Sequence, residues 1–180
     1  MVPTTGGVTA LGTATGTSLW SFSVPGPTSP ILAAGVVYVG SSNHDVYAVS
    51  ESTGQQIWSR ATGGAIQDSG ALSETVHGGV TGLYVSSADG YLYFLSPSTG
   101  AVLHRVNLGA SASGLAFAGN VIVAAASGLV EGVRTYPELV WTYGLSDGTM
   151  PPPALVNGTV FAAGQNGTLW AFTPYGAPPQ

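Results

Sequence analysis

Asp68, Glu74 and His77 are the residues of this sequence whose types and spacing could do chemistry together. One imidazole and two carboxylates in so short a stretch can ligate a divalent cation or relay a proton. They lie in AIQDSGALSETVHGG, where about eight residues break an otherwise regular spacing. Their intervals are irregular and no thiolate or second histidine accompanies them, so a solvated loop is the plainer reading. His44 and His104 lack partners at ligand spacing. His44 occupies the glycine slot of a turn, and His104 stands where other repeats carry tryptophan, which predicts the same packing role. Asp45 and Asp89 fall at turns, where a carboxylate caps its own backbone.

Other chemistries find less support. The chain has no cysteine, which excludes disulfides, thiolate metal sites and a cysteine nucleophile. No G-x-S-x-G elbow occurs, and no Ser-His-Asp set is supported by spacing. Gly63-Gly64 is followed by neither a helix pattern nor a lysine, so it does not read as a phosphate cradle. There is no lysine, and Arg60, Arg105 and Arg134 are scattered, which argues against nucleic-acid binding. The formal charge of −5 is spread without runs. Charged residues are 6% of the chain beside 44% apolar ones, a balance opposed to disorder.

Met1 is followed by VPTTGGVTALG, which has neither a basic leader nor a continuous apolar core. The expectation is a cytosolic chain or one whose leader lies outside this sequence. Gly114 to Val130 is weakly polar throughout, but Gly119-Asn120 and Ser127-Gly128 interrupt it, so it reads as two buried strands and not as a membrane span.

The elements that must position these residues recur. YVGSSNHDVYAVSESTGQQIW from Tyr38 matches YVSSADGYLYFLSPSTGAVLH from Tyr84 without a gap, and further copies begin at Ile122 and Phe161. Each holds an apolar alternation, a turn at Asn43-His44, Asp89-Gly90, Ser127-Gly128 or Asn166-Gly167, and a second alternation. A Thr-Gly turn and a strand ending in a large ring follow, as in Ile57-Trp58 and Leu103-His104. The third copy keeps only Leu139-Val140-Trp141. Four short strands in roughly 40 residues make a propeller blade.

The expected fold is therefore all-β, a β-propeller of four-stranded antiparallel blades with about four blade-equivalents, as a partial propeller or small closed ring. Residues 1–14 form an N-terminal segment, 15–174 the repeats and 175–180 a tail. The copies centre on 31–58, 71–104, 114–141 and 153–172. Residues 15–22 read as a fourth strand with no blade before it, a candidate to close the ring beside Leu169 to Phe172. Trp20, Trp58, Trp141 and Trp170 recur as blade-packing rings. Trp58 to Tyr84 spans 26 residues against 18 from Trp20 to Tyr38, and the extra length lies in the inter-blade connection or in the first hairpin.

The Gly and Trp pattern from Thr15 to Pro174 resembles the repeat of the pyrroloquinoline-quinone (PQQ)-type β-propellers. That family includes quinoprotein dehydrogenases, the propeller lipoprotein of the outer-membrane barrel assembly machinery, and sensor domains of receptor kinases. For its enzymes the resemblance implies a quinone over aromatic rings, calcium held by carboxylates and an Asp base; no residues here match that set. The expectation is a non-catalytic scaffold binding a protein, peptide or glycan, without cofactor. A fragment of a PQQ- and calcium-dependent dehydrogenase and a receptor sensor domain are the alternatives. The resemblance also implies an extracytoplasmic location, and a homodimer or further blades of a longer chain would complete the ring.

Overall fold

Alternating apolar residues between Gly, Asn and Asp build short strands and tight turns, because successive side chains on a strand point to opposite faces. The computed structural model describes residues 1–4, 6–68, 70–74, 80–118, 121–126, 128–134, 139–144, 152–156 and 159–173. Within them lie five antiparallel sheets, each built from strands in chain order. The first holds β1 (Val2–Thr4), β2 (Gly7–Leu11) and β3 (Ser18–Ser23). The second holds β4 (Ile31–Ala33), β5 (Val36–Gly40), β6 (Asp45–Ser50) and β7 (Gln56–Ala61). The third holds β8 (Ala71–Glu74), β9 (Val80–Ser86), β10 (Tyr91–Leu95) and β11 (Val102–Asn107). The fourth holds β12 (Ala112–Ala118), β13 (Val121–Ala126), β14 (Leu129–Arg134) and β15 (Leu139–Gly144). The fifth holds β16 (Ala154–Val156), β17 (Thr159–Ala163) and β18 (Leu169–Phe172). Three four-stranded blades between two three-stranded ones make a partial β-propeller.

The core is divided between the sheets. Val8, Val24 and Val39 join the first to the second, and Tyr38, Val46, Trp58, Leu83 and Tyr93 the second to the third. Tyr84, Leu92, Ile122 and Val133 join the third to the fourth, and Val123, Val130, Val160 and Phe172 the fourth to the fifth. A middle strand is thus covered on both faces, and all six residues of β13 are buried. That is why this stretch has the hydropathy of a span: β13 is interior sheet, with a continuous apolar run where a one-faced strand would alternate. No helix among the described residues is long and apolar enough to cross a membrane.

Two expectations about register change. Residues 15–22 do not stand alone, because β3 pairs with β2, with Trp20 opposite Ala10, and β2 in turn pairs with β1. The strand β18, expected beside them, pairs with β17. Val8 and Ala10 supply the inward alternation in β2, too small a signal to read as a strand from sequence. The third copy is also shifted by one residue. Trp58 stands opposite Ala48 and Ala48 opposite Tyr38, while Trp141 stands opposite Gly132 and Gly132 opposite Val123. Val123 and not Ile122 is therefore the counterpart of Tyr38, and a slip of one residue exchanges the faces of a strand. Ile122 packs toward the third sheet and Val123 toward the fifth.

The last strand of each of the first four sheets, β3, β7, β11 and β15, carries a bulge at the same place. Its register shifts between Ala10 and Leu11, Ala48 and Val49, Phe94 and Leu95, and Gly132 and Val133. The extra residue is Leu19, Ile57, Leu103 or Val140, immediately before the large ring. A bulge re-aims the side chain that follows it, and here it turns Trp20, Trp58 and Trp141 onto the next sheet. The Trp20 indole N–H donates to the Glu51 carbonyl at 2.8 Å, and that of Trp58 to the Pro97 carbonyl at 2.8 Å. Gly100, at φ 67°, leaves room for Trp58, since a Cβ there would lie 2.5 Å from the indole. Gly100→Ala is expected to cost about 2 kcal/mol from left-handed strain and lost ring contact, read as a lower urea midpoint at unchanged m-value.

Candidate functional site

The three residues singled out by type do not share one element. Tyr38 stands opposite Ile31 and its counterpart Tyr84 opposite Ala71. Most of the added length between Trp58 and Tyr84 therefore lies in the first hairpin of the third sheet, and less of it in the connection from β7 to β8. Asp68 sits in that connection, partly buried and with a partner of its own. Glu74 ends β8, at the opposite end of the strand. An extended chain rises about 3.3 Å per residue, so β8 holds the two positions apart instead of converging them. His77 lies outside the described residues. Among the described residues no three His, Asp or Glu side chains form a metal-ligating group.

The end of the sheets bearing Asp68 is organised by turn chemistry. Asn43, Asp89 and Asn166 occupy one slot, and each side-chain oxygen accepts from the backbone N–H two residues on: Asp45 at 3.1 Å, Tyr91 at 3.1 Å and Thr168 at 2.7 Å. Asn43, rather than Asp45, is thus the counterpart of Asp89. His44 follows Asn43 at φ 76°, where the other turns have Gly90, Gly128 and Gly167. His44→Gly relieves left-handed strain of order 1 kcal/mol and is expected to raise the melting temperature by a few degrees.

Asp89 also ties the connection between sheets two and three to the third sheet. The Tyr93 hydroxyl donates to its carboxylate at 2.5 Å, and the Gly63 N–H donates to the Tyr93 hydroxyl at 3.2 Å. Ser87 donates to the Gly64 carbonyl at 3.1 Å. Burial works against the charge of Asp89, but hydrogen bonds from Tyr93, Ser87, Tyr91 and Gly63 outweigh it and hold the carboxyl below its usual range. Burial, followed by the bond to Asp89, pushes the Tyr93 phenol up. These groups are committed to joining sheets.

His104 shares the register of the tryptophans but not their burial. Ala10, Ala48 and Gly132 lie opposite Trp20, Trp58 and Trp141, whereas Phe94 lies opposite His104. Phe94 fills the space itself, stacking on Tyr84 at 4.7 Å, and His104 is left exposed. Trp170 departs from the pattern as well, since it lies on β18, a third strand, and packs against Tyr143 at 5.8 Å. Trp20, Trp58 and Asp89 are not free to serve a quinone and calcium site. Trp20 and Trp58 are pressed onto Gly54 and Gly100, and Asp89 is held by Tyr93.

Two features were not singled out by residue type. A cleft of about 240 Å³ lies at the other end of the sheets, lined by Ala34, Val36, Tyr38, Pro97 and Ser98. Its signal was weak, since these are ordinary turn and strand residues. The second is Glu131 on β14, only 4% exposed, opposite Ala124 and Thr142. The Thr142 hydroxyl is 3.5 Å from Oε1, and Oε2 is buried without a hydrogen-bond partner. Burial pushes this carboxyl up, against a smaller lowering by Thr142. One acidic residue inside Leu129-Val130-Glu131-Gly132-Val133 was the available sequence signal.

The sheets and their docked tryptophans define a β-propeller of four-stranded antiparallel blades. A family model described as outer membrane protein assembly factor BamB matches residues 88–175. The outer membrane protein assembly factor BamB of Yersinia pestis is 29% identical over 91% of this chain, which spans 48% of that protein. The chain superposes on the crystal structure of the computationally designed Ika8 protein with a TM-score of 0.79 and 16% identity, over 94% of this chain and 53% of that one. For BamB from Moraxella catarrhalis the TM-score is 0.73 with 17% identity, over 91% of this chain and 55% of that one. The chain is thus similar to PQQ-like β-propeller repeat proteins, over residues 88–175 by the family model and over 91% of its length by the Yersinia relative. It spans about half the length of the curated relative it matches.

Proposed function

We propose that this chain is a non-catalytic propeller module that binds protein partners during outer-membrane protein assembly, on the extracytoplasmic side of the inner membrane. The observation that carries the reading is its 29% identity, over 91% of its length, to an outer membrane protein assembly factor. The chemistry of the described turns agrees, because Asp89, Tyr93 and the indoles of Trp20 and Trp58 are engaged in joining one blade to the next. No cofactor forms part of this reading. The binding end is the one bearing the Ala34–Pro97 cleft, which is also the end at which β8 finishes and β9 begins. Asp68 belongs to the opposite end and Glu74 to this one; a recognition role for Glu74 and His77 is part of the proposal, and a metal role is not.

The test is binding of the purified chain to purified outer-membrane assembly proteins by biolayer interferometry, with Ser98→Arg as the variant, since Ser98 is exposed on the cleft. Saturable binding weakened about tenfold or more by the variant, a change of about 1.4 kcal/mol, is the expected result. Absence of binding overturns the reading. So does dye-coupled alcohol oxidation on addition of PQQ and calcium.

A further inference from the structure

Ala34 opens the turn between β4 and β5 at φ 50°, a left-handed conformation that an alanine side chain disfavours. Asparagine tolerates that conformation far better, and Asn157-Gly158 occupies the matching two places between Val156 and Thr159 in the fifth sheet. Ala34 is also one wall of the cleft at this end of the sheets. Strain kept at a cavity wall points to a use for the small side chain. With only a methyl group at 34, the cleft stays open.

The chemistry of the cleft limits what fills it. At about 240 Å³ it is smaller than the roughly 300–1,000 Å³ of pockets that hold whole ligands, and it suits one side chain. None of Ala34, Val36, Tyr38, Pro97 and Ser98 carries a charge. The Pro97 carbonyl already accepts from the Trp58 indole at 2.8 Å and from the Tyr38 hydroxyl at 3.3 Å, and the Ser98 hydroxyl lies 3.2 Å from that of Ser96. A charged side chain entering here gives up its water for no new partner, whereas an apolar one gains by burial. The lip of the cleft differs. The Glu51 N–H donates to the Gly35 carbonyl at 3.0 Å, which sets Glu51 beside the Ala34-Gly35 turn. Glu51 is exposed, and its carboxylate has no partner among the described residues. Arg60 is engaged elsewhere, its Nε–H donating to the Gly100 carbonyl at 2.6 Å, and the chain has no lysine. A free carboxylate on a chain of net charge −5 favours a partner that brings a cation.

We propose that the cleft receives one large apolar side chain from a protein segment whose adjacent residue is lysine or arginine. The apolar group fills the space that Ala34 leaves, and the cation pairs with Glu51. The proposal deepens the reading of this end as the binding end and rests on it.

The test is a nuclear magnetic resonance titration of the isotopically labelled full chain with three capped tetrapeptides, Gly-Phe-Lys-Gly, Gly-Phe-Glu-Gly and Gly-Ala-Lys-Gly. The first is expected to shift the amides of Ala34, Val36 and Ser98 saturably, with a dissociation constant of about 1 mM or below, and the other two to bind at least about fivefold more weakly. Glu51→Gln erases the preference for lysine over glutamate and keeps that for phenylalanine over alanine. Ala34→Asn weakens the first peptide about tenfold. Its melting temperature stays at or above that of the wild type, because asparagine accepts φ 50°, so a filled cleft is told apart from a damaged fold. Equal binding of the two phenylalanine peptides, shifts confined to other residues, no saturable shift up to about 10 mM, or an Ala34→Asn chain that binds unchanged overturns the proposal. The peptide preference in a chain that ignores purified assembly proteins supports the cleft chemistry and overturns the assembly role alone. Binding of those proteins without the peptide preference overturns this proposal alone.

Discussion

Trp58→Ala is expected to lower the free energy of unfolding by about 3–5 kcal/mol, the range for truncating a buried aromatic residue to alanine. Trp58 is 8% exposed, packs between the second and third sheets beside Tyr38, and donates its indole N–H to the Pro97 carbonyl. Removing it opens a cavity at the sheet interface and leaves the Pro97 carbonyl with the longer bond from Tyr38 at 3.3 Å. Urea unfolding followed by tryptophan fluorescence or circular dichroism measures the loss. Trp58→Phe should cost less, because it keeps most of the packing and gives up the hydrogen bond, worth about 1 kcal/mol. His104→Ala is the matched control. It occupies the same register on β11 but is exposed, so a change within about 0.5 kcal/mol is expected. Equal losses at Trp58 and His104 would contradict the docking role assigned to the ring.

Glu131→Gln is expected to stabilise the chain by about 1–3 kcal/mol near pH 7, since it removes a buried ionisable group whose Oε2 has no partner. The sign follows from the direction of the shift. Burial raises the folded-state value of this carboxyl above its unfolded value. Its favourable contribution is therefore complete below the usual glutamate range, where both states hold the proton, and is lost as pH rises through the raised folded value. Melting temperatures measured from pH 4 to pH 8 should show the gain from Glu131→Gln growing toward the alkaline end. Asp89 behaves oppositely: its lowered value stabilises the fold above the usual aspartate range, and that stabilisation disappears as pH falls through the folded value. If Glu131→Gln lowers the melting temperature at pH 8, the buried carboxylate has a stabilising partner and the argument fails.

The two groups differ in how far their surroundings were legible. Asp89 stands beside Gly90 in a recurring turn, and that context alone predicted the cap its side chain makes. Glu131 lies in a run of small apolar residues that pack on two different sheets, Val133 toward the third, about 40 residues earlier in sequence, and Val130 toward the fifth, both adjacent only after folding. The same contrast separates His104 from Trp58. Both follow an exposed aliphatic residue at a bulge, and sequence spacing assigns them one role, but the size of the residue opposite decides whether the ring turns inward. Ala48 leaves that space and Phe94 fills it.

By itself the sequence determined the strand period, the turns and their recurrence, because these depend on residues within a few positions of one another. Asn or Asp before a left-handed turn residue and Thr-Gly before a bulged aromatic strand are local stereochemistry, and three repetitions of each specify blades. Tertiary structure decided the register of the fourth sheet, since Val121 to Ala126 has no polar alternation to fix which face is which. It also decided that Leu11 and Trp20 belong to a sheet of their own and that Asp68 and Glu74 lie at opposite ends of one strand. Each of these depends on which sheet stands next to which, a relation between segments far apart in the chain that local preference does not encode.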